Sequence, residues 1–137
     1  MPKLPDGVEV LLANCLAHGR RLFVDLVPHF PAACRFVLEQ VGRVYGYEAE
    51  ARERELTGAE RLHFHQQHSA PVMTELQGWL KAQLTEKKTE PNSGLGKAIN
   101  YLLRHWQPLT LFLREKNAPL DNNLVERALK RVVLHRN

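Results

Sequence analysis

The sequence predicts a mainly α chain, with one N-terminal strand followed by about six helices. Three observations predict it. Apolar residues recur at helical spacing through most of the chain beyond Gly19. Ahead of that, Val8 to Leu16 begins with alternation and becomes continuously apolar. The 137 residues, 44% hydrophobic and 25% charged, are one domain's worth of polymer with enough apolar side chains for a core.

The strand is read over residues 8–16, a run bounded by Asp6-Gly7 and by Gly19. A lone strand leaves its backbone donors and acceptors unpaired. Either its sheet partners lie in sequence outside this chain, or the run is not a strand. Phe23, Leu26, Val27 and Phe30 then fall on one helical face, and Pro31 stands where a second helix can begin. Val37, Val41, Val44, Tyr45 and Glu48 continue one stripe, and Glu48 to Glu55 form a charged, exposed end.

Thr57 with Glu60 three residues on has the capping-box pattern of a third helix. Ser69 with Pro71 just inside predicts the start of a fourth, whose stripe is Val72, Leu76, Trp79, Leu80 and Leu84. Residues 85–94 are polar and rich in turn formers, hence a loop. Leu95 to Glu115 return to helix, with Pro108 expected to break it between Trp106 and Leu109. Pro119 to Asn123 read as a turn and cap, and Val125, Ala128, Leu129, Val132 and Val133 mark the apolar side of a last helix.

No apolar stretch approaches the ~18 residues of a membrane span. The first residues lack a secretory signal's apolar core, so a reducing cytoplasm is expected, with Cys15 and Cys34 as free thiols. The net charge is +4, and it is localised. Residues 1–103 hold 12 basic and 12 acidic side chains, whereas residues 104–137 hold seven basic and three acidic ones. A positive field confined to one end suggests a polyanionic partner, nucleic acid first.

In Leu120-Asp121-Asn122-Asn123-Leu124-Val125-Glu126-Arg127, Asp121 is suited to cap a helix, with Asn122 and Asn123 supporting the turn. Asn122 and Glu126 share a helical face, with Lys130 one turn on. By spacing alone this is also an ordinary capped surface helix. His63, His65 and His68 read as a polar, exposed helix end rather than a metal cluster, because in a helix only His65 and His68 share a face. Cys15-x-x-His18 with Cys34 reads as packing, with Cys15 a small buried side chain.

Asp121-Asn122-Asn123-x-x-Glu126-Arg127-Ala128-Leu129-Lys130, followed by Val133-Leu134-His135-Arg136-Asn137, resembles the terminal signature of the insertion sequence 66 family of bacterial transposases. Asn14-Cys15-Leu16-Ala17-His18-Gly19-Arg20-Arg21-x-Phe23-Val24-Asp25 is similar to the same family's strand-to-helix segment. Pro91 to Tyr101, with Trp106 to Leu113, is similar to the stretch between them. The matches fall in family order over nearly the whole chain.

The resemblance implies a DDE transposase with an RNase H-like α/β core, cytoplasmic and nucleoid-associated in a bacterium. In such enzymes two Asp and one Glu hold two Mg²⁺ or Mn²⁺ ions for phosphodiester cleavage and strand transfer. Glu126 matches the Glu, as catalytic residue and metal ligand. Residues 1–137 would be a single partial domain, with core strand 8–16, helical insertion 18–118 and glutamate-bearing helix 119–137. Arg20, Arg21, Arg127, Lys130, Arg131 and Arg136 are the expected DNA contacts. Both catalytic Asp positions should precede Cys15, and neither Asp6 nor Asp25 matches them. The chain is therefore expected to be a transposase fragment, inactive alone, that self-associates or pairs with full-length transposase. The alternative is a non-catalytic helical module that binds DNA or regulates a transposase. No membrane partner is expected.

Overall fold

The computed structural model describes residues 16–116 and 118–120. Five helices run through them: α1 (Leu16–Leu26), α2 (Pro31–Glu53), α3 (Gly58–Thr85), α4 (Gly94–Arg104) and the single turn α5 (Trp106–Leu109). A 3₁₀ turn, Leu111–Leu113, follows. The expected fold class is corrected here: the described residues contain no strand and form no RNase H-like α/β core. Leu16, the one described residue of the 8–16 run, opens α1. It is 2% exposed and shares a buried helical face with Gly19 and Phe23. A short apolar run has no periodicity that separates a buried strand from a buried helix.

α2 and α3 form the frame. Phe36 stacks on Trp79 and Glu48 meets His65, so numbers rise along one helix as they fall along the other. Between them lie Val37, Val41 and Val44 of α2 and Val72, Met73, Leu76 and Leu80 of α3. α1 closes one side with Phe23, and α4 closes it further with Ile99 and Leu102. Trp106, Leu109 and Phe112 continue the core into the turns after α4.

The expected third and fourth helices are one helix. α3 carries Pro71 within it. Proline removes one backbone bond, yet Phe64, His65, Ser69, Val72, Met73, Leu76 and Leu80 form one buried stripe on both sides of it. Breaking α3 at Pro71 would expose half of that stripe. Ser69 therefore caps nothing; it is fully buried, 2.7 Å from Nδ1 of His65. Thr57 does occupy the N-cap of α3, but with no side-chain capping bond. Pro31 opens α2 as expected. The break attributed to Pro108 comes earlier, at His105. A proline ring clashes with the carbonyl four residues before it, which here belongs to Arg104, the last residue of α4.

One buried polar network ties the frame to the end of the described chain. Glu48 is 7% exposed rather than part of an exposed charged end. Its Oε1 accepts from Arg61 Nε at 3.0 Å and from His65 Nε2 at 2.8 Å, and its Oε2 accepts from Arg52 Nε at 3.3 Å. The other ring nitrogen of His65, Nδ1, lies 2.7 Å from Ser69 Oγ, so both nitrogens have a partner. Arg61 Nη1 also donates to the Ala118 carbonyl at 2.9 Å, and Gln66 Nε2 donates to the Leu113 carbonyl at 3.1 Å. Ala118 and Leu120 are buried beyond that strap.

Burial alone would raise the Glu48 carboxyl. The hydrogen bonds and positive field of His65 and Arg61 outweigh it, and hold the group at about 2 against an ordinary 4.5. A depressed carboxylate stabilises the fold above its unfolded pKa and loses that contribution as pH falls through its folded one. Stability should therefore decline between about pH 5 and pH 2, by about 3 kcal/mol from this group. Glu48→Gln should flatten that decline. It should also cost about 3 kcal/mol near neutral pH by leaving Arg61 without its carboxylate. Urea unfolding followed by circular dichroism across this range checks both; identical curves for the two proteins would refute them.

Gly96 makes a second test. A Cβ there would lie 2.7 Å from the Pro91 carbonyl oxygen and closer still to that of Glu90, both backbone atoms. Gly96→Ala should cost about 1–3 kcal/mol in the same assay.

Candidate nucleic-acid interface

Of the expected DNA contacts, Arg20 and Arg21 lie in the described part, both exposed on α1. Arg127, Lys130, Arg131 and Arg136 lie outside the described residues, as do Glu126, Asp121, Asn122 and Asn123. The chain reaches that segment from the strap just described, with Leu120 5% exposed in the core.

α1, which carries Arg20 and Arg21, also borders a surface that the sequence reading missed. α1 and α4 approach closely at two glycines. A Cβ on Gly19 would lie 2.6 Å from Leu102 Cδ2, and one on Gly94 would lie 3.0 Å from Leu26 Cδ2. The approach brings His18 of α1 against Tyr101 of α4, with ring centroids 5.4 Å apart. The His105 ring lies 4.3 Å from that of Tyr101, tilted by 36°. Nδ1 of His105 donates to the Tyr101 carbonyl at 2.8 Å, which fixes that ring. Beside the rings runs a cleft of about 400 Å³. Its floor is Leu22, Leu26 and Ala98, its wall Tyr101, and its charged lining Lys97, Arg104 and Asp25.

Lys97, Tyr101 and Arg104 are spaced i, i+4, i+7, which places them on one face of α4. That signal was present in the sequence. It was masked because Lys97 falls in residues 1–103, which sum to no net charge, while Arg104 was counted with the basic end of the chain. Acids crowd the elbow between α2 and α3, where Glu50, Glu53, Glu55 and Glu60 are exposed. Arg114 also belongs to the basic end of the chain. Its Nη2 donates to the Gln107 carbonyl at 2.6 Å and its Nη1 to Thr110 Oγ1 at 3.0 Å, so it clamps the turn after α5.

Two other clusters are not sites. Glu48, His65 and Ser69 have the connectivity of an acid–base–nucleophile triad, but His65 and Ser69 are both fully buried, so no substrate reaches the hydroxyl. Its polar atoms serve packing and the strap. The three-histidine motif splits: His63 and His68 are exposed as expected, while His65 is in the core. Exposed His68 packs against Phe64 and Tyr47. Among the described residues no three His, Cys, Asp or Glu side chains are grouped to hold a metal ion. Cys34 is buried and its thiol is pushed up by burial, the opposite of a reactive thiolate. No helix of the described residues is long and apolar enough to cross a membrane.

Comparison with known proteins agrees with the signature segments. Three proteins of Sinorhizobium fredii (strain NBRC 101917 / NGR234), each described only as uncharacterized, are similar to this chain. The protein y4jD is 41% identical over 129 residues, covering 91% of this chain and 24% of its own. The protein y4hP is 31% identical over 95% of this chain and 25% of its own. The protein y4qI is 29% identical over 93% and 23%. The chain thus spans about a quarter of the length of the curated relatives it matches. No solved structure matches it. Residues 2–137 match the family described as Transposase IS66 family, and the chain belongs to that family.

Proposed function

We propose that this chain supplies a transposase with one metal-binding carboxylate, Glu126, and with a helical body that bears part of the DNA contact surface. The observation that carries the reading is the Asp121-to-Lys130 signature, in a chain whose family match runs from residue 2 to residue 137. In the complete enzyme, Mg²⁺ or Mn²⁺ held by three carboxylates would activate a water or 3′-hydroxyl and stabilise the leaving oxygen of a phosphodiester. Glu126 is one such ligand. The described residues provide no group of three that would complete a site, so no catalytic step is assigned to them.

What the described chain does is bind and place. Arg20 and Arg21, exposed on α1, contact phosphates, and Arg127, Lys130, Arg131 and Arg136 extend those contacts beside Glu126. The strap through Arg61 holds the chain at Ala118, three residues before Asp121. The working environment is the bacterial nucleoid, with transposon ends and target DNA as partners and further transposase chains completing the carboxylate set.

Two outcomes follow. The purified chain should not nick supercoiled plasmid with Mg²⁺ or Mn²⁺; a metal-dependent nick abolished by Glu126→Gln would overturn its inactivity alone. It should bind duplex DNA in a salt-dependent way. Replacing Arg20 and Arg21 together by Gln should lower the log–log salt slope by about two, at ~0.9 per lost phosphate contact. Binding that does not respond to salt would sink the assignment of these contacts.

A further inference from the structure

We infer that the α1–α4 face binds an unpaired DNA strand, seating one base in the cleft against Tyr101 and the flanking phosphates on Lys97 and Arg104. This rests on the reading of the chain as a DNA-contacting part of a transposase, and goes beyond it in naming the form of DNA and the residues. Three observations converge on one face. The rings of His18, Tyr101 and His105 cluster across α1 and α4, tilted to one another, with centroid separations of 5.4 and 4.3 Å, and Tyr101 lines the cleft. Aromatic side chains bordered by cations are how proteins hold single strands, because every base has a π-face. Lys97 and Arg104 stand seven residues apart on α4, about 10 Å along the axis, and bracket Tyr101.

The cleft completes the set. Its volume of about 400 Å³ lies within the range of sites that enclose small ligands. Its floor of Leu22, Leu26 and Ala98 suits the flat apolar face of a base. Asp25, the one acid in its lining, is an acceptor for a base's amino or imino hydrogen. A duplex cannot use these features, since its bases are stacked on each other and their faces are covered. Arg21, four residues before Asp25 on α1, adds a positive charge beside the cleft. An apolar peptide is disfavoured because two cations line the cleft.

Fluorescence anisotropy with labelled oligo(dT) of about twelve nucleotides, against a duplex of equal length, tests this on the full chain. Oligo(dT) should bind more tightly than duplex. Tyr101→Leu, which keeps apolar bulk but removes the ring, should weaken oligo(dT) about tenfold and leave duplex unchanged. Tyr101→Phe, which keeps the ring, should retain binding. That outcome separates stacking from any loss of fold, which circular dichroism also monitors. Lys97→Gln with Arg104→Gln should lower the single-strand salt slope by about 1.4, at ~0.7 per phosphate. The charge-matched pair Lys87→Gln with Lys88→Gln, in the loop before α4, should not.

Duplex bound as tightly as oligo(dT), indifference to Tyr101→Leu, or an acidic peptide of equal charge bound equally well would each overturn the inference. If duplex binding still depends on Arg20 and Arg21 in those cases, the broader reading survives. If neither form of DNA binds, that reading fails with it.

Discussion

The Glu48 carboxylate is the constraint on which this chain's arrangement depends. It is a buried charge between two long helices, and a buried charge is tolerated only with opposite charge and full hydrogen bonding. Arg61 and His65 supply both from α3 at 3.0 and 2.8 Å. Apolar packing between long amphipathic helices tolerates a slip along the axis, since one leucine-sized knob resembles another. An ionic contact across the hairpin does not. Slipping α3 by one turn would break the paired contact of Arg61 and His65 with Glu48 and leave the buried carboxylate short of donors. The network therefore fixes register as well as stability. Because Arg61 also holds the Ala118 carbonyl, the same register fixes the position of Ala118 against the frame.

The surface proposed for DNA depends on a different economy, that of small residues and short helices. Gly19 and Gly94 remove side chains at the points where α1 and α4 meet. Each helix has only 11 residues, too short to be stable in isolation, so both draw their stability from the contact. Ser93 strengthens the start of α4. It accepts from Gly96 N–H at 3.0 Å and donates to the Glu90 carbonyl at 2.7 Å. Pro108 limits its other end. The ring cluster exists because these constraints bring Tyr101 beside His18 while His105 ends the helix next to it.

The helices, their apolar stripes, the loop before α4 and the proline-opened α2 were legible in the sequence because each follows from local periodicity and turn chemistry. What was illegible depended on tertiary context. Leu16 reads equally as the end of a strand or the start of a helix until Phe23 is seen to share its buried face. Pro71 reads as a boundary until the stripe on both sides proves to face one partner. His65 reads as exposed and polar because its carboxylate lies 17 residues away on another helix. The same applies to the interface: Arg20 and Arg21 stand out as adjacent cations, but Lys97, Tyr101 and Arg104 gain meaning only beside His18. The signature around Glu126 was legible as a family resemblance, and its residues lie outside those described.

The distribution of charge supports a body that orients DNA as well as attracting it. In the described part, the α2–α3 elbow exposes Glu50, Glu53, Glu55 and Glu60 around Arg52 and Arg54, an acidic excess, whereas Arg20, Arg21, Lys97 and Arg104 outnumber Asp25 on α1 and α4. A polyanion near such a molecule is repelled from one region and drawn to the other, which restricts approach before any specific contact forms. Most of the elbow's acids are spent on neither the Glu48 network nor the core; only Glu50 makes a surface pair, with Arg54 at 3.5 Å. Exposed pairs of that kind contribute little to stability. Their consequence is the field they project. A helical body with an acidic excess at one region and a basic excess at another is suited, on the proposed reading, to presenting DNA to chemistry completed by other residues.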